Sequence, residues 1–327
     1  MKQEQIFSKD FLNLDYKAVT KELNEKGYFS FDNALTDNFV NQIKNDVDSA
    51  GLSLNNNNVG GVYYTHGNQF FFSHLLAVSK SFFNYCTSDK LLDICSDYFK
   101  EKYRLKCLRY YENLGGQNMQ WHTDNRNYTG KETSGTNIKN EGIIMLAYIA
   151  DVKDGEFQYL KGSHNWSSEN KFNDYNHDYI SKNHSSDIVG FKKPKGSIII
   201  YNTRGVHRAK PTNDKNFVRK SILLRIDADT EHSEPILLKT EYVDKMDDRI
   251  KEYLGFGKKT GIDMYPDSSL ETLPINKKIF SEISKWLIGR LANKLPGFLR
   301  KRVRNAIGYR KAHWNKILKY YNRSMAG

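Results

Sequence analysis

Three short stretches carry residues whose types and spacing could do chemistry: Trp121-His122-Thr123-Asp124, Gly205-Val206-His207-Arg208 and Val218-Arg219-Lys220-Ser221. Two histidines and one carboxylate on a single face of a metal leave the opposite positions open. That is the arrangement by which a mononuclear non-haem Fe(II) site admits a co-substrate and dioxygen. His122 and Asp124 are two residues apart, so on an extended strand both side chains leave the same face. His207 must then arrive on a distant strand folded alongside. Arg219 follows His207 by 12 residues, room for a turn and the start of a return strand. A guanidinium there is suited to clamp the far carboxylate of 2-oxoglutarate with two parallel hydrogen bonds. Any one stretch alone fits a surface His-Asp pair or a chance loop histidine; the three together favour ligation.

The elements that must position these residues are readable in outline. Residues 142–150 (GIIMLAYIA) form a buried strand, 151–155 a turn and 156–160 a second strand, closed by Lys161-Gly162-Ser163-His164. Another strand, 196–201, delivers the segment ending at His207. On 217–226, alternation puts Arg219, Ser221, Leu223 and Arg225 on one face, with Ser221 offering a hydroxyl to the same carboxylate and Arg225 as the rival anchor. Tyr148 lies on the 142–150 strand, where a core position is one reading. Segments 110–113 and 117–120 flank the first metal stretch as pocket wall or as outward-facing residues. Residues 1–103 read as largely helical, with apolar spacings of three and four over 37–50 and 89–102, and with a polar loop at 55–58. The short strand spacing over 104–228 predicts an antiparallel barrel or sandwich. The fold class is mainly β with flanking α: a double-stranded β-helix, or jelly roll, buttressed by N-terminal helices.

This order of motifs resembles the phytanoyl-CoA dioxygenase family of Fe(II)/2-oxoglutarate oxygenases. The likeness runs over residues 20–228 and includes Gly27-Tyr28-Phe29-Ser30-Phe31 and the helix-like segment after Leu35-Thr36. It implies His122, Asp124 and His207 as iron ligands, Arg219, Ser221 and Tyr148 as co-substrate contacts, and Fe(II), 2-oxoglutarate and O2 as the cofactor set. Lys161 stands where the family usually has proline, and Pro211-Thr212-Asn213 replaces a tighter Pro-Asn; both bear on loop shape. Halogenating relatives carry a small residue at the position of Asp124, so the intact carboxylate implies hydroxylation or a related oxidation. His164 recurs in its Gly-Ser-His context and reads as structural.

Charge divides the chain. Residues 277–323 hold 14 Lys/Arg against one acid, Glu282, a net +13; the whole chain is +12, leaving −1 for the rest. Within this tail Ile279, Phe280, Ile283, Trp286, Leu287 and Leu291 recur at helical spacing, and beyond Pro296-Gly297 Leu299, Val303, Ile307, Trp314, Ile317, Leu318 and Tyr321 do so less regularly. A basic amphipathic helix with tryptophan suits an anionic membrane interface; packing on the barrel and nucleic-acid binding are the other readings. Three cysteines without CxxC spacing indicate buried thiols, not a disulfide framework. No apolar run approaches the roughly 20 residues of a spanning helix, and the first 20 residues show no signal-peptide apolar core.

The expectation is a catalytic domain over 1–270 and a basic tail over 271–327. The activity expected is an Fe(II)/2-oxoglutarate-dependent hydroxylation of a small-molecule or lipid-linked envelope saccharide substrate, in the cytoplasm or on the inner face of the membrane. A looser likeness to peripheral-membrane hydroxylases of the Kdo sugar bears on the saccharide. A non-catalytic metal-binding or membrane-tethered protein keeping the same fold is the alternative.

Overall fold

The apolar run of residues 142–148 is buried at every position because it lies in the middle of a sheet covered on both sides. The computed structural model describes residues 2–49, 62–65, 69–72, 75–115, 119–124, 142–166, 177–212, 214, 217–228, 236, 238–257, 284–285, 287–289 and 291–307. Its strands are β1 (Tyr28–Phe31), β2 (Val62–Thr65), β3 (Gln69–Phe72), β4 (Tyr103–Leu114), β5 (Gly142–Tyr148), β6 (Phe157–Leu160), β7 (Ile188–Phe191), β8 (Ile198–Asn202), β9 (His207–Ala209) and β10 (Val218–Ala228). A seven-stranded sheet runs β1-β8-β5-β10-β4-β3-β2 and a three-stranded sheet runs β7-β6-β9, with every pairing antiparallel. This is the jelly roll expected from the sequence. Three strands, β1 to β3, lie within the region read as helical; each is only four residues long.

The central strands sort their side chains by parity. Ile143, Met145, Ala147, Ile198, Ile200, Ile222, Leu224 and Ile226 face the N-terminal helices and share one core with them. Ile144, Leu146, Tyr148, Ile199 and Tyr201 face the small sheet, where Phe157, Tyr159 and Phe191 meet them. The helices are α1 (Gln3–Ile6), α2 (Lys9–Asn13), α3 (Tyr16–Lys26), α4 (Asp37–Ser49), α5 (Leu75–Val78), α6 (Lys80–Cys86) and α7 (Asp89–Phe99). Asp15 caps α3, its carboxylate accepting from the Lys17 N–H at 2.9 Å, and Gly27 ends it at φ +86°. A side chain at Gly27 would strike the Tyr159 hydroxyl, so the turn into β1 requires glycine twice over. Further on, α8 (His177–Asn183) and α9 (Asp248–Tyr253) complete this part of the chain. Cys86, Cys95 and Cys107 are buried thiols outside any disulfide.

The chain divides into two compact units, 1–261 and 262–327. The second contains a 3-10 turn, Ala292–Lys294, and a helix, Gly297–Ala306, with no buried residue on that helix. Leu287, Ile288, Leu291, Leu295, Phe298 and Leu299 are exposed. Among the described residues no helix is long and apolar enough to cross a membrane. The polar loop at 55–58 and the side chain of Trp286 lie outside the described residues.

Candidate metal centre

His122 and Asp124 do not sit on a regular strand. β4 ends at Leu114, and His122 instead forms an isolated antiparallel bridge with His207 at the start of β9. The bridge is closed at both ends, His122 N–H to His207 O at 3.0 Å and His207 N–H to His122 O at 2.9 Å. Asp124 N–H then donates to Thr203 O at 3.1 Å, which fixes the carboxylate beside the pair. Two backbone segments thus do the work expected of a strand pair.

The three side chains converge. One ligand atom from each of His122, Asp124 and His207 lies within 4.8 Å of the others, spacing that can hold one ion. His207 Nε2 is 3.3 Å from Asp124 Oδ2, and the two imidazole centroids are 4.4 Å apart. Each ring is oriented by the carbonyl two residues before it: His122 Nδ1 to Gln120 O at 2.8 Å, His207 Nδ1 to Gly205 O at 2.9 Å. With Nδ1 donating to backbone, Nε2 keeps the lone pair a metal needs. Asp124 Oδ2 is buried and makes no hydrogen bond of good geometry; its approach to His207 is one of charge and distance. Burial would raise the Asp124 pKa, but His207, Arg225 and His122 outweigh it and hold the carboxyl well below its ordinary value. An anionic oxygen and two imidazole nitrogens brought this close fit a divalent first-row metal.

The wall behind His207 is aromatic. The Tyr201 ring lies 4.8 Å from that of His207 and the Phe157 ring 5.6 Å, both tilted to it, and these two rings are 4.5 Å apart. No local signal singles out Phe157. Tyr201 was readable only as the end of the strand 196–201.

Deeper along the barrel, β10 brings in the arginines. Register pairs Arg219 with Asn113, Ser221 with Tyr111 and Tyr148, and Arg225 with Cys107 and Ile144. All of these positions therefore share the inner face, as parity predicts for Arg219, Ser221, Leu223 and Arg225. Tyr111 and Asn113 face inward, whereas Tyr110 packs in the helix-side core; 117 and 118 lie outside the described residues. Arg219 is buried, donates from Nη1 to Gly155 O at 2.5 Å, and leaves its buried Nε without a partner among the described residues. Burial pushes its pKa down, opposed by Tyr148, Glu156 and Tyr201. Arg225, the rival anchor, is held by Asp227 through two hydrogen bonds of 3.0 and 3.1 Å. Tyr148 is committed as well: its hydroxyl donates to Phe191 O at 3.2 Å and accepts from Phe157 N–H at 3.1 Å. Its pKa is pushed up to about 12 by burial. Tyr148 therefore offers the pocket a ring and a fixed strand, not a free hydroxyl.

Comparison with solved structures gives the same architecture. HygX from Streptomyces hygroscopicus, solved with nickel, 2-oxoglutarate and hygromycin B, superposes with a TM-score of 0.51 at 14% identity, over 68% of this chain and 90% of that one. The epimerase SnoN of nogalamycin biosynthesis gives 0.51 at 12%, over 79% and 95%. The carbocyclase SnoK of the same biosynthesis gives 0.52 at 13%, over 72% and 92%. At these identities the likeness is one of fold. No curated protein matches the sequence. Residues 23–221 match the family described as Phytanoyl-CoA dioxygenase (PhyH), which is more than half of the chain. The chain belongs to that family of Fe(II)/2-oxoglutarate-dependent oxygenases.

Proposed function

We propose that this enzyme hydroxylates a small-molecule or lipid-linked saccharide substrate, with His122, Asp124 and His207 holding the iron and Arg219 anchoring 2-oxoglutarate. The observation that carries the site is the convergence of three ligand atoms within 4.8 Å, with both imidazole rings oriented by backbone carbonyls. When bound, Fe(II) with 2-oxoglutarate and O2 supplies the oxidative decarboxylation that releases succinate and CO2 and oxidises a C–H bond of the substrate.

The chain's own part is orientation and exclusion of water. Arg219 offers unspent donors on the barrel's inner face, in a site dry enough to strengthen a charge-assisted pair with a carboxylate. Ser221, two residues on and buried, would add a hydroxyl to that carboxylate. Phe157 and Tyr201 close the back of the site against His207. The retained Asp124 favours hydroxylation over chemistries that replace the carboxylate. Titrating metal-free protein with Fe(II) and 2-oxoglutarate under anaerobic conditions tests the pair. A weak visible charge-transfer band is expected, and its absence with the protein folded would remove the assignment.

The tail would bind an anionic membrane surface through residues 277–323, within a 271–327 extension to the 1–270 catalytic domain. Exposed Leu287, Leu291 and Phe298 beside Arg300, Lys301, Arg302 and Arg304 support this reading. A lipid-linked acceptor on the inner face of the membrane follows from it.

A further inference from the structure

Ser163 lies in the short turn after β6 and has no exposed surface. Its hydroxyl links two backbone groups: Oγ donates to Leu160 O at 2.7 Å and accepts from Val206 N–H at 2.8 Å. The N–H of Val206 and the carbonyl of Gly205 belong to one peptide group. That carbonyl is the acceptor which orients the ring of His207, at 2.9 Å from Nδ1. We propose that Ser163 is a positioning residue for the distal histidine, acting through the Gly205–Val206 peptide; this rests on His207 being a metal ligand.

The peptide plane is held from both sides. Ser163 grips its N–H and the imidazole its C=O, so neither can turn without losing a bond inside a buried site. A hydrogen bond accepted at one end of a peptide also polarises the other, which strengthens the carbonyl as an acceptor for Nδ1–H. The surroundings leave the loop one course. Gly205 N–H donates to Asn202 O at 3.1 Å, and Leu160 N–H donates to Val206 O at 2.9 Å. A Cβ on Gly205 would lie 1.7 Å from the Tyr159 hydroxyl oxygen, so this backbone passes where only glycine fits. His164 anchors the same turn from behind, its Nε2 3.1 Å from Asn24 O, and Gly162 N–H donates to Lys26 O at 3.0 Å. The Gly162-Ser163-His164 segment thus fixes the tautomer and direction of a ring on the facing strand. His122 has the same ring-to-carbonyl bond, but its acceptor belongs to exposed Gln120, so the two ligands are not held alike.

The test uses full-length metal-free protein, titrated with Co(II) by visible absorption, and long-range proton–nitrogen NMR of its imidazoles. Wild type should show His207 as a single Nδ1–H tautomer. Ser163→Ala should bind Co(II) about 10–100-fold more weakly, the range typical for loss of a ligand's outer partner, and His207 should become a mixture of tautomers. Ser163→Cys, with a thiol that accepts only weakly, should fall between them. A folded Ser163→Ala with wild-type affinity and tautomer overturns the proposal. If that variant does not fold, Ser163→Cys decides: a mixed tautomer supports the proposal and a wild-type one overturns it. Should wild type and His207→Ala take up Co(II) equally, His207 is not a ligand, and the positioning role falls with it.

Discussion

Arg208 lies across the indole of Trp121, its guanidinium carbon 4.3 Å from the ring centroid, and each is the chain neighbour of a proposed metal ligand. His122 pairs with His207, so Trp121 and Arg208 are the next residues opposite one another, directed away from the metal side. Arg208 also donates to Gln158 Oε1 at 2.9 Å and lies 3.0 Å from His177 Nδ1. It is a buried cation with no carboxylate at ion-pair distance among the described residues, and burial lowers its pKa. Its partners Trp121, Gln158 and His177 come from three separate segments, so its role is to brace the bridge from behind.

Arg208→Lys keeps the charge but loses the flat face over Trp121 and the fork that reaches both Gln158 and His177. A buried cation–π contact is worth about 2 kcal/mol, and thermal unfolding should register a loss of about that size. Co(II) affinity should fall with it, because the bridge carries both histidines. An unchanged midpoint and unchanged affinity would show that the brace is idle.

Removing a ligand should act differently. His122→Ala, Asp124→Ala and His207→Ala are each expected to abolish succinate formation while leaving the far-UV spectrum of the protein intact, since two remaining ligands hold Fe(II) poorly. Asp124→Ala also removes a buried anion that Arg225 faces. Full succinate production by any one variant, measured without excess iron, would take that residue out of the site.

The two inward arginines of β10 separate cleanly. Arg219→Lys should weaken 2-oxoglutarate binding about ten- to a hundredfold, matching the roughly 1.5–3 kcal/mol of a charge-assisted hydrogen bond, with metal binding preserved. Arg225→Lys should instead lower stability, because Asp227 loses a two-pronged partner. Isothermal titration and thermal unfolding read the two effects separately. A loss of 2-oxoglutarate affinity in Arg225→Lys alone would reverse the assignment.

Much of this was legible before the fold was known, and for identifiable reasons. The run at 142–150 announced a doubly covered strand, and the parity of 217–226 placed four side chains on one face. Alternation puts Arg225 and Asp227, two apart, on one face of β10 but does not say that the carboxylate will take the guanidinium. Nor does sequence show that the Tyr148 hydroxyl closes on Phe191 and Phe157. Trp121 and Arg208 looked like flanking residues until the His122–His207 bridge set them opposite each other. Ser163 was visible only as part of a turn, because its partner is the backbone of a residue 43 positions away.

The tail makes the last prediction, one that turns on charge and apolar surface together. Each basic residue near an anionic bilayer adds on the order of 1 kcal/mol, so 14 Lys/Arg against a single Glu give ample attraction even if half of them reach the surface. The full-length protein should co-sediment with liposomes containing phosphatidylserine or phosphatidylglycerol and bind neutral liposomes far less. Raising salt should release it, since the attraction is screened over about 8–10 Å near physiological ionic strength. Leu291 and Phe298 are 63% and 66% exposed, unusual for large apolar side chains with no task in water. Replacing both by serine should weaken attachment at every salt concentration without changing the charge, because the apolar anchor is lost. Binding that ignores lipid charge would defeat the membrane reading. Retention on nucleic acid that is salt-sensitive but indifferent to Leu291→Ser/Phe298→Ser would give the tail to phosphate backbones instead. A large loss of thermal stability in that double variant would give it to packing, since exposed side chains on a membrane-seeking helix contribute little to the fold.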